Sequence, residues 1–174
     1  NSWTCPVEEG CTDPDVLRPA VEALRAAGIA QSFAAGNSGP QCGSAFLVPA
    51  IYEASFAVGA TDLQDGLANF SARGPVLVDG SNRIKPDIVA PGVGVRSSQP
   101  SPPHLDSYTI FGGTSGASPH VAGAFALIWS ALPHLAGRVD ETEELLERSA
   151  VPLTSAIVCN GLSGSEVPNP LFGW

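Results

Sequence analysis

Hydrophobic positions fall into two kinds of run in the first two thirds of the chain. From Asp13 to Ala27 the apolar residues recur at helical spacing, with Asp13 and Pro14 as a typical helix start and Gly28 as a stop. Short continuous apolar runs that end at Gly, Pro or Asn predict two buried strands, over Ile29–Ala35 and Phe56–Ala60, and a third short strand over Ile88–Ala90, while Tyr108–Phe111 is strand-like.

The longest apolar segment lies further on. From Ser115 or Ala117 to about Leu132 the residues are apolar on nearly every side, which predicts a central, fully buried helix rather than a surface one. Glu141–Ala150 predicts a helix with a polar face, and residues 151–174 predict loop. Strands that alternate with helices predict an α/β fold around a parallel sheet.

Composition narrows the range of functions. The 174 residues carry 8 Lys and Arg against 17 Asp and Glu, so the net charge is −9, and 44% of the residues are hydrophobic. This content argues against disorder, and a single lysine without any basic run argues against a nucleic-acid partner. No apolar stretch approaches the roughly 20 residues of a membrane span, so we expect no membrane partner. Because the sequence begins at Asn1 and contains no Met, we expect a processed product or a piece of a longer chain.

Four cysteines, Cys5, Cys11, Cys42 and Cys159, allow three complete pairings. A local bridge between Cys5 and Cys11 is plausible, which leaves Cys42 and Cys159 as a long-range pair or as free thiols. No Cys-x-x-Cys spacing indicates zinc. The even count and the low lysine content favour disulfides and an extracellular protein.

One stretch carries most of the chemical information. Residues 113–123 read Gly-Thr-Ser-Gly-Ala-Ser-Pro-His-Val-Ala-Gly and place Ser115 on a glycine-flanked turn at the start of the apolar helix, where free backbone N–H groups favour negative charge. A serine there could also be only a helix cap. The stretch resembles the serine motif of the subtilisin-like proteases, the subtilases, and the resemblance implies that Ser115 is the catalytic nucleophile. The family commonly has Met where this chain has Gly116, so we expect less packing behind the nucleophile.

A second segment resembles the same family independently. Residues 34–39, Ala-Ala-Gly-Asn-Ser-Gly, are similar to the family's oxyanion segment, which implies that Asn37 donates to the oxyanion of the tetrahedral intermediate. The Ser115 backbone N–H would be the other donor. Asn37 taken alone could equally be a turn residue.

Further segments extend the resemblance over about residues 1–150. It implies a three-layer subtilisin-like fold, with a mostly parallel sheet between helices, incomplete in residues 1–174 as the C-terminal portion of a catalytic domain. The start of the chain resembles the strand that pairs with an extended peptide substrate. The specificity pocket would then have one wall from Ser2, Trp3 and Thr4 and the other from Ala34, Ala35 and Gly36.

Some members of the family hold a cation between backbone carbonyls and an aspartate. Carried over, this implies a structural calcium bound by the carbonyls of Ala50 and Tyr52 and by Asp87. A turn or an ion pair is the simpler role for Asp87. No other cofactor is expected.

A serine nucleophile needs a base, and the three histidines offer none in a catalytic context. His120 lies about 140° around the helix from Ser115, while His104 and His134 are typical solvated histidines. The family's Asp and His segments do not occur in the chain, so we expect the nucleophile half of a serine endopeptidase, inactive alone and completed by a missing N-terminal part. The alternatives are a non-catalytic peptide-binding pseudo-protease and a sedolisin-like acid peptidase, although sedolisins usually carry Asp at the position of Asn37.

Overall fold

The computed structural model describes residues 1–6, 9–99 and 107–174. His104 lies outside the described residues. The helices are α1 (Arg18–Ala26), α2 (Thr114–Ala131) and α3 (Val139–Ser149), with a 3₁₀ turn at Pro133–Leu135. The strands are β1 (Ser32–Ala34), β2 (Phe56–Thr61), β3 (Ile88–Pro91), β4 (Val95–Ser98), β5 (Tyr108–Phe111), β6 (Val158–Cys159) and β7 (Leu162–Ser163).

A three-stranded parallel sheet organises the chain, in the order β1–β2–β3. All six residues of β2 are buried, which explains why its sequence shows no alternation of polar and apolar residues. Ala57 of β2 packs into one core cluster with Val21 of α1. Phe56 and Val58 pack into a second cluster with Val121 of α2. Helices therefore cover both faces of the sheet, and the predicted α/β class is confirmed.

The prediction that α2 is buried on all sides is wrong for this chain. Val121 and Phe125 pack onto the sheet, with the rings of Phe125 and Phe56 5.5 Å apart, and the hydroxyl groups of Ser118 and Ser32 lie 2.8 Å apart. On the opposite side Leu127 is 73% exposed. The helix is apolar all round, but the sheet reaches only one of its faces.

The structure begins two elements, α1 and β1, later than the sequence predicts. The side chain of Asp13 accepts from the backbone N–H of Asp15 at 2.9 Å, so this pair forms a turn and α1 begins only at Arg18. Gly28, at φ +76°, ends the helix as predicted. Strand β1 is shorter than the apolar run from residue 29, and β4, which was not predicted, pairs antiparallel with β5.

The segment after α3 is packed rather than loosely attached. A short β6–β7 hairpin lies in it, and a disulfide joins Cys159 to Cys42 across 117 residues of sequence. Asn169 is fully buried and donates to the carbonyls of Leu153 and Glu166, each at 2.9 Å. The second disulfide is the local Cys5–Cys11 bridge, so the structure selects one of the three pairings. No helix in the described ranges is long and apolar enough to cross a membrane.

Candidate active site

Ser115 lies in the first turn of α2, two residues after a glycine that the backbone requires. Gly113 has φ +117°, a conformation that side-chain-bearing residues rarely adopt, and its N–H donates to the carbonyl of Gly92 at 2.8 Å. Backbone N–H groups in a first helical turn have no partner within the helix. The N–H of Ser115 is therefore available as a donor beside its own side chain.

Asn37 follows β1, and Thr114 fixes its amide. The Oδ1 atom accepts from the backbone N–H of Thr114 at 2.9 Å and from its hydroxyl at 3.0 Å. The same hydroxyl accepts from the N–H of Gly36 at 3.2 Å, and Thr114 is fully buried. Because Oδ1 holds both contacts, Nδ2 is turned away from Thr114, and it has no hydrogen-bond partner in the part of the chain that the structure describes.

A cavity of about 210 Å³ opens beside Ser115. Among residues 1–6, 9–99 and 107–174 the lining carries no charged side chain and comprises Ser2, Trp3, Thr4, Ala34, Gly36, Asn37, Leu47, Thr114 and Ser115. Five of the six predicted wall residues are present. The sixth, Ala35, is buried in the core cluster instead, because alternate residues at the end of a strand face opposite sides.

Leu47 is the wall residue that the sequence did not indicate. It belongs to the loop before β2, and its Cδ1 lies 3.0 Å from where a side chain on Gly36 would begin. No local pattern marks Leu47 as part of a pocket, since only the tertiary fold brings it against Gly36. The segment that forms the other wall is held by a hydrogen bond from the Ala34 N–H to the carbonyl of Asn1 at 2.8 Å.

Gly116 is buried beside Phe111, and both residues line a cavity of about 490 Å³. A Cβ atom at this position would lie 3.1 Å from Cδ1 of Phe111, at the end of β5. A longer side chain at this position would need the ring of Phe111, which is 43% exposed, to shift.

The described histidines do not contact Ser115. His120 Nδ1 lies 2.8 Å from the carbonyl of Gly116, and because a carbonyl only accepts, Nδ1 carries the proton and donates. His134 is exposed in the 3₁₀ turn after α2. In the described residues, the Ser115 hydroxyl therefore has no general base beside it.

The predicted calcium ligands do not fit a cation. Asp87 Oδ2 accepts from the Lys85 ammonium and from the Ala57 N–H, each at 2.6 Å. Lys85 is 2% exposed, and it also donates to the carbonyl of Ser55 at 2.6 Å. The carbonyl of Tyr52 accepts from the Ser55 N–H at 3.1 Å, and Ala50 is buried in the core. Lys85 therefore supplies the positive charge at Asp87, and the described residues contain no group of three or more His, Cys, Asp or Glu suited to a metal ion.

A second charged cluster lies close to this ion pair. Arg25 donates to both carboxylate oxygens of Glu143, at 2.9 and 2.6 Å. Glu147 lines the same cavity of about 210 Å³ as Asp87 and Glu143. Burial, with the neighbouring charges of Asp87 and Glu143, raises the pKa of Glu147 to about 7.

The chain is similar to known proteases in sequence. The model of the subtilase family matches residues 1–174. Bacillopeptidase F of Bacillus subtilis is 44% identical over 142 residues, which cover 80% of this chain and 9% of that protein. Subtilisin DY of Bacillus licheniformis is 43% identical over 128 residues, which cover 72% of this chain and 42% of that protein.

Two solved structures resemble the fold. The self-cleaved protease domain of PatA aligns with a TM-score of 0.62 and 30% identity, over 78% of this chain and 47% of that one. The prenylagaramide maturation protease PagA aligns with a TM-score of 0.67 and 25% identity, over 90% of this chain and 50% of that one. The chain therefore spans half or less of these proteins. Since the family model covers every residue from 1 to 174, the chain belongs to the subtilase family.

Proposed function

We propose that the protein to which this chain belongs is a serine endopeptidase, with Ser115 as its nucleophile. The observation that carries this proposal is the pair of hydrogen bonds by which Thr114 holds Oδ1 of Asn37. Among the described residues they leave Nδ2 of Asn37 without a partner, and a Cβ atom on Gly113 would lie 3.3 Å from Nδ2 and 3.7 Å from the Ser115 nitrogen. Two fixed donors at one point are what a developing oxyanion requires.

The reaction then proceeds by acyl transfer. Ser115 Oγ attacks the scissile carbonyl carbon and gives its proton to a base, and the oxyanion accepts hydrogen bonds from Asn37 Nδ2 and the Ser115 N–H. When the tetrahedral intermediate collapses, the C–N bond breaks, the amine leaves with the proton, and the acyl group stays on Ser115. Water then cleaves the ester with the same base and regenerates the hydroxyl.

The base must come from outside the described residues. We expect it from an N-terminal part of the same catalytic domain, since the chain spans 42% of subtilisin DY and the outer face of α2 around Leu127 is exposed. The 174-residue chain alone should therefore hydrolyse no peptide. Turnover of a peptide substrate by the purified chain at a rate comparable with the full-length protein would contradict this.

The substrate is a peptide or protein whose backbone pairs with the segment around residues 2–4, and whose side chain before the scissile bond enters the cavity beside Ser115. Two disulfides support a secreted protein. The charge of −9 makes nucleic acid an unsuitable partner.

A fluorophosphonate probe on the full-length protein tests the function. We expect covalent labelling that Ser115→Ala abolishes and that Ser130→Ala, at an exposed serine on the same helix, leaves intact. The probe labels only an activated serine, so a folded protein that is not labelled would instead support a non-catalytic pseudo-protease. The observation that favours this alternative is that the described residues supply no base beside Ser115.

A further inference from the structure

Residues 2–4 line the cavity beside Ser115, and we call them the substrate wall. At the start of this wall, the carbonyl of Asn1 accepts from the Ala34 N–H at 2.8 Å, so β1 fixes that end. In the middle, Trp3 is 54% exposed and is covered only in part by the rest of the chain. The position of the wall therefore depends on how its other end is held.

One backbone carbonyl and one disulfide hold the other end. The carbonyl of Val48 accepts from the Thr4 hydroxyl at 2.9 Å and from the Cys5 N–H at 3.3 Å. Cys5 is joined to Cys11, whose N–H donates to the carbonyl of Pro6 at 3.3 Å. Both cysteines pack against the core cluster that contains Val48. The disulfide therefore ties the residue that follows the wall to the core of the protein.

A cavity of about 350 Å³ lies behind the substrate wall. Thr4 lines this cavity as well as the one beside Ser115, and the Cys5–Cys11 disulfide forms part of its lining. Atoms that border an open volume lose packing contacts on that side. The wall is therefore braced here by the disulfide and by the hydrogen bonds to Val48, rather than by closely packed side chains.

The two disulfides differ in the length of chain that they enclose. Cys5 and Cys11 are 6 residues apart, whereas Cys42 and Cys159 are 117 residues apart. Because a disulfide constrains the unfolded chain more when its loop is longer, the short bridge contributes less to the stability of the whole fold. Its main effect is local, on the segment next to the substrate wall.

The two disulfides also differ in access. Cys5 and Cys11 are both partly exposed and both line the cavity behind the wall, whereas Cys159 is fully buried. Attack on the sulfur of Cys42 would release a thiolate in the apolar surroundings of Cys159, which burial disfavours. A small thiol should therefore open the Cys5–Cys11 bridge first.

From this arrangement we propose that the Cys5–Cys11 disulfide is the positioning element of the substrate wall, and that opening it weakens substrate binding while the turn of Ser115 stays intact. The inference rests on the proposed function. With the bridge open, Cys5 loses its covalent tie to Cys11, and the wall is ordered in only a fraction of the molecules. The affinity for a peptide falls by that fraction.

The reduction consumes two molecules of a small monothiol. The thiolate of the first attacks one sulfur of the bridge, which forms a mixed disulfide and releases the other cysteine as a thiolate. The thiolate of the second attacks the sulfur of the first in that mixed disulfide and releases the remaining cysteine. The protons of the two thiols end on Cys5 and Cys11, and the two thiols, which have given up two electrons, leave as their own disulfide.

The kinetic test uses the two disulfides of the full-length protein as a matched pair. Wild type, Cys5→Ser/Cys11→Ser and the control Cys42→Ser/Cys159→Ser hydrolyse the p-nitroanilide of N-succinyl-Ala-Ala-Leu. We expect loss of the short bridge to raise KM roughly 5- to 30-fold, the factor for reordering the backbone of about one residue, with kcat unchanged. The control should lower the free energy of unfolding more and leave KM unchanged. An unchanged KM without the short bridge, or a fall in kcat alone, overturns the inference.

A binding measurement separates this inference from the proposed function. In the Ser115→Ala background, with the short bridge intact or replaced by two serines, calorimetry measures the affinity of N-acetyl-Ala-Ala-Leu amide. If loss of the bridge weakens binding while the protein with Ser115 hydrolyses nothing, the inference holds and the proposed function fails. If the affinity is unchanged, or if the peptide does not bind with the bridge intact, the inference fails whatever the activity.

A reduction experiment covers the case in which the double variant does not fold. The folded Ser115→Ala protein is treated with excess β-mercaptoethanol, and its free thiols are alkylated with iodoacetamide and located by mass spectrometry. We expect alkylation of Cys5 and Cys11 while Cys42 and Cys159 stay joined, together with weaker binding of the same peptide. Alkylation of Cys42 and Cys159 first, or opening of the short bridge without loss of affinity, overturns the inference.

Discussion

Thr114→Val is the most direct test of how the site holds its oxyanion donor. The substitution keeps the shape of a fully buried side chain and removes only its hydroxyl. Asn37 Oδ1 then keeps the backbone N–H of Thr114 at 2.9 Å and loses the hydroxyl at 3.0 Å. One hydrogen bond of this kind contributes about 1 kcal/mol, and each 1.36 kcal/mol of transition-state free energy changes the rate about tenfold.

We therefore expect kcat of the full-length enzyme to fall about 5- to 10-fold with little change in KM, because the oxyanion exists only in the transition state. Removing an oxyanion donor outright from a subtilisin lowers kcat roughly 10²–10³-fold. Asn37→Ala should therefore lower kcat more than Thr114→Val does. The buried N–H of Gly36 also loses its acceptor, which should lower the free energy of unfolding by about 1–3 kcal/mol.

The assay is steady-state hydrolysis of a peptide p-nitroanilide, at a temperature where circular dichroism shows each variant folded. Thr114→Ser retains the hydroxyl and is the matched control, which should keep kcat near that of wild type. A Thr114→Val enzyme with unchanged kcat, or with a raised KM alone, would refute the account of how Asn37 is oriented.

Three further predictions concern the stability of the full-length protein. Gly116→Met should change the free energy of unfolding by less than about 1 kcal/mol, because methionine favours a helix over glycine by about that amount while the exposed ring of Phe111 must shift to admit the side chain, and a thermal scan showing a loss of more than about 2 kcal/mol would contradict this. Burial raises the pKa of Glu147 from 4.5 to about 7, so the folded state holds this proton where the unfolded state has lost it, and stability should fall as the pH rises from 4.5 to 7. Glu147→Gln should remove this pH dependence. At pH 8.5 it should raise the free energy of unfolding, measured in urea, by about 1–2 kcal/mol, a value reduced for the partial exposure of Glu147. Equal stability of wild type and Glu147→Gln at both pH 5 and pH 8.5 would contradict this prediction. Replacing Cys42 and Cys159 by Ser should lower the free energy of unfolding by about 2–5 kcal/mol, measured by urea unfolding without reductant. An unchanged free energy of unfolding would show that the disulfide does not constrain the unfolded chain.

Local patterns predicted the elements that depend on local physics. β2 and β3 are short apolar runs buried on the sheet, and Gly28 ends α1 because it adopts φ +76°. The strand β4 carries the sequence Val-Arg-Ser-Ser and is mostly exposed, so it depends on its antiparallel pairing with β5, later in the chain. A pairing between distant segments leaves no mark in a short window of sequence.

Some residues of the candidate site could be predicted from local sequence patterns, and others could not. Ser115 and Asn37 stand in motifs whose order is specific, and the structure places both at the cavity lining. Leu47 could not be found, since its contact with Gly36 depends on how the loop before β2 folds back. The burial of α2 was overestimated because the residue types report how apolar a helix is and not which neighbours are present to cover it. The family resemblance implied calcium at Asp87, whereas the structure shows an ion pair with Lys85, which is one of the two simpler roles that the sequence allowed.

The packing of Phe111 against Gly116 also bears on how the protein would respond to oxidants. The chain contains no methionine, and all four cysteines are joined in disulfides. An aromatic ring, rather than a thioether, lies next to the turn that carries Ser115. Since peroxide oxidises thiols and thioethers first, this half of the site offers no sulfur atom whose conversion to a sulfoxide or a sulfenic acid could distort the first turn of α2.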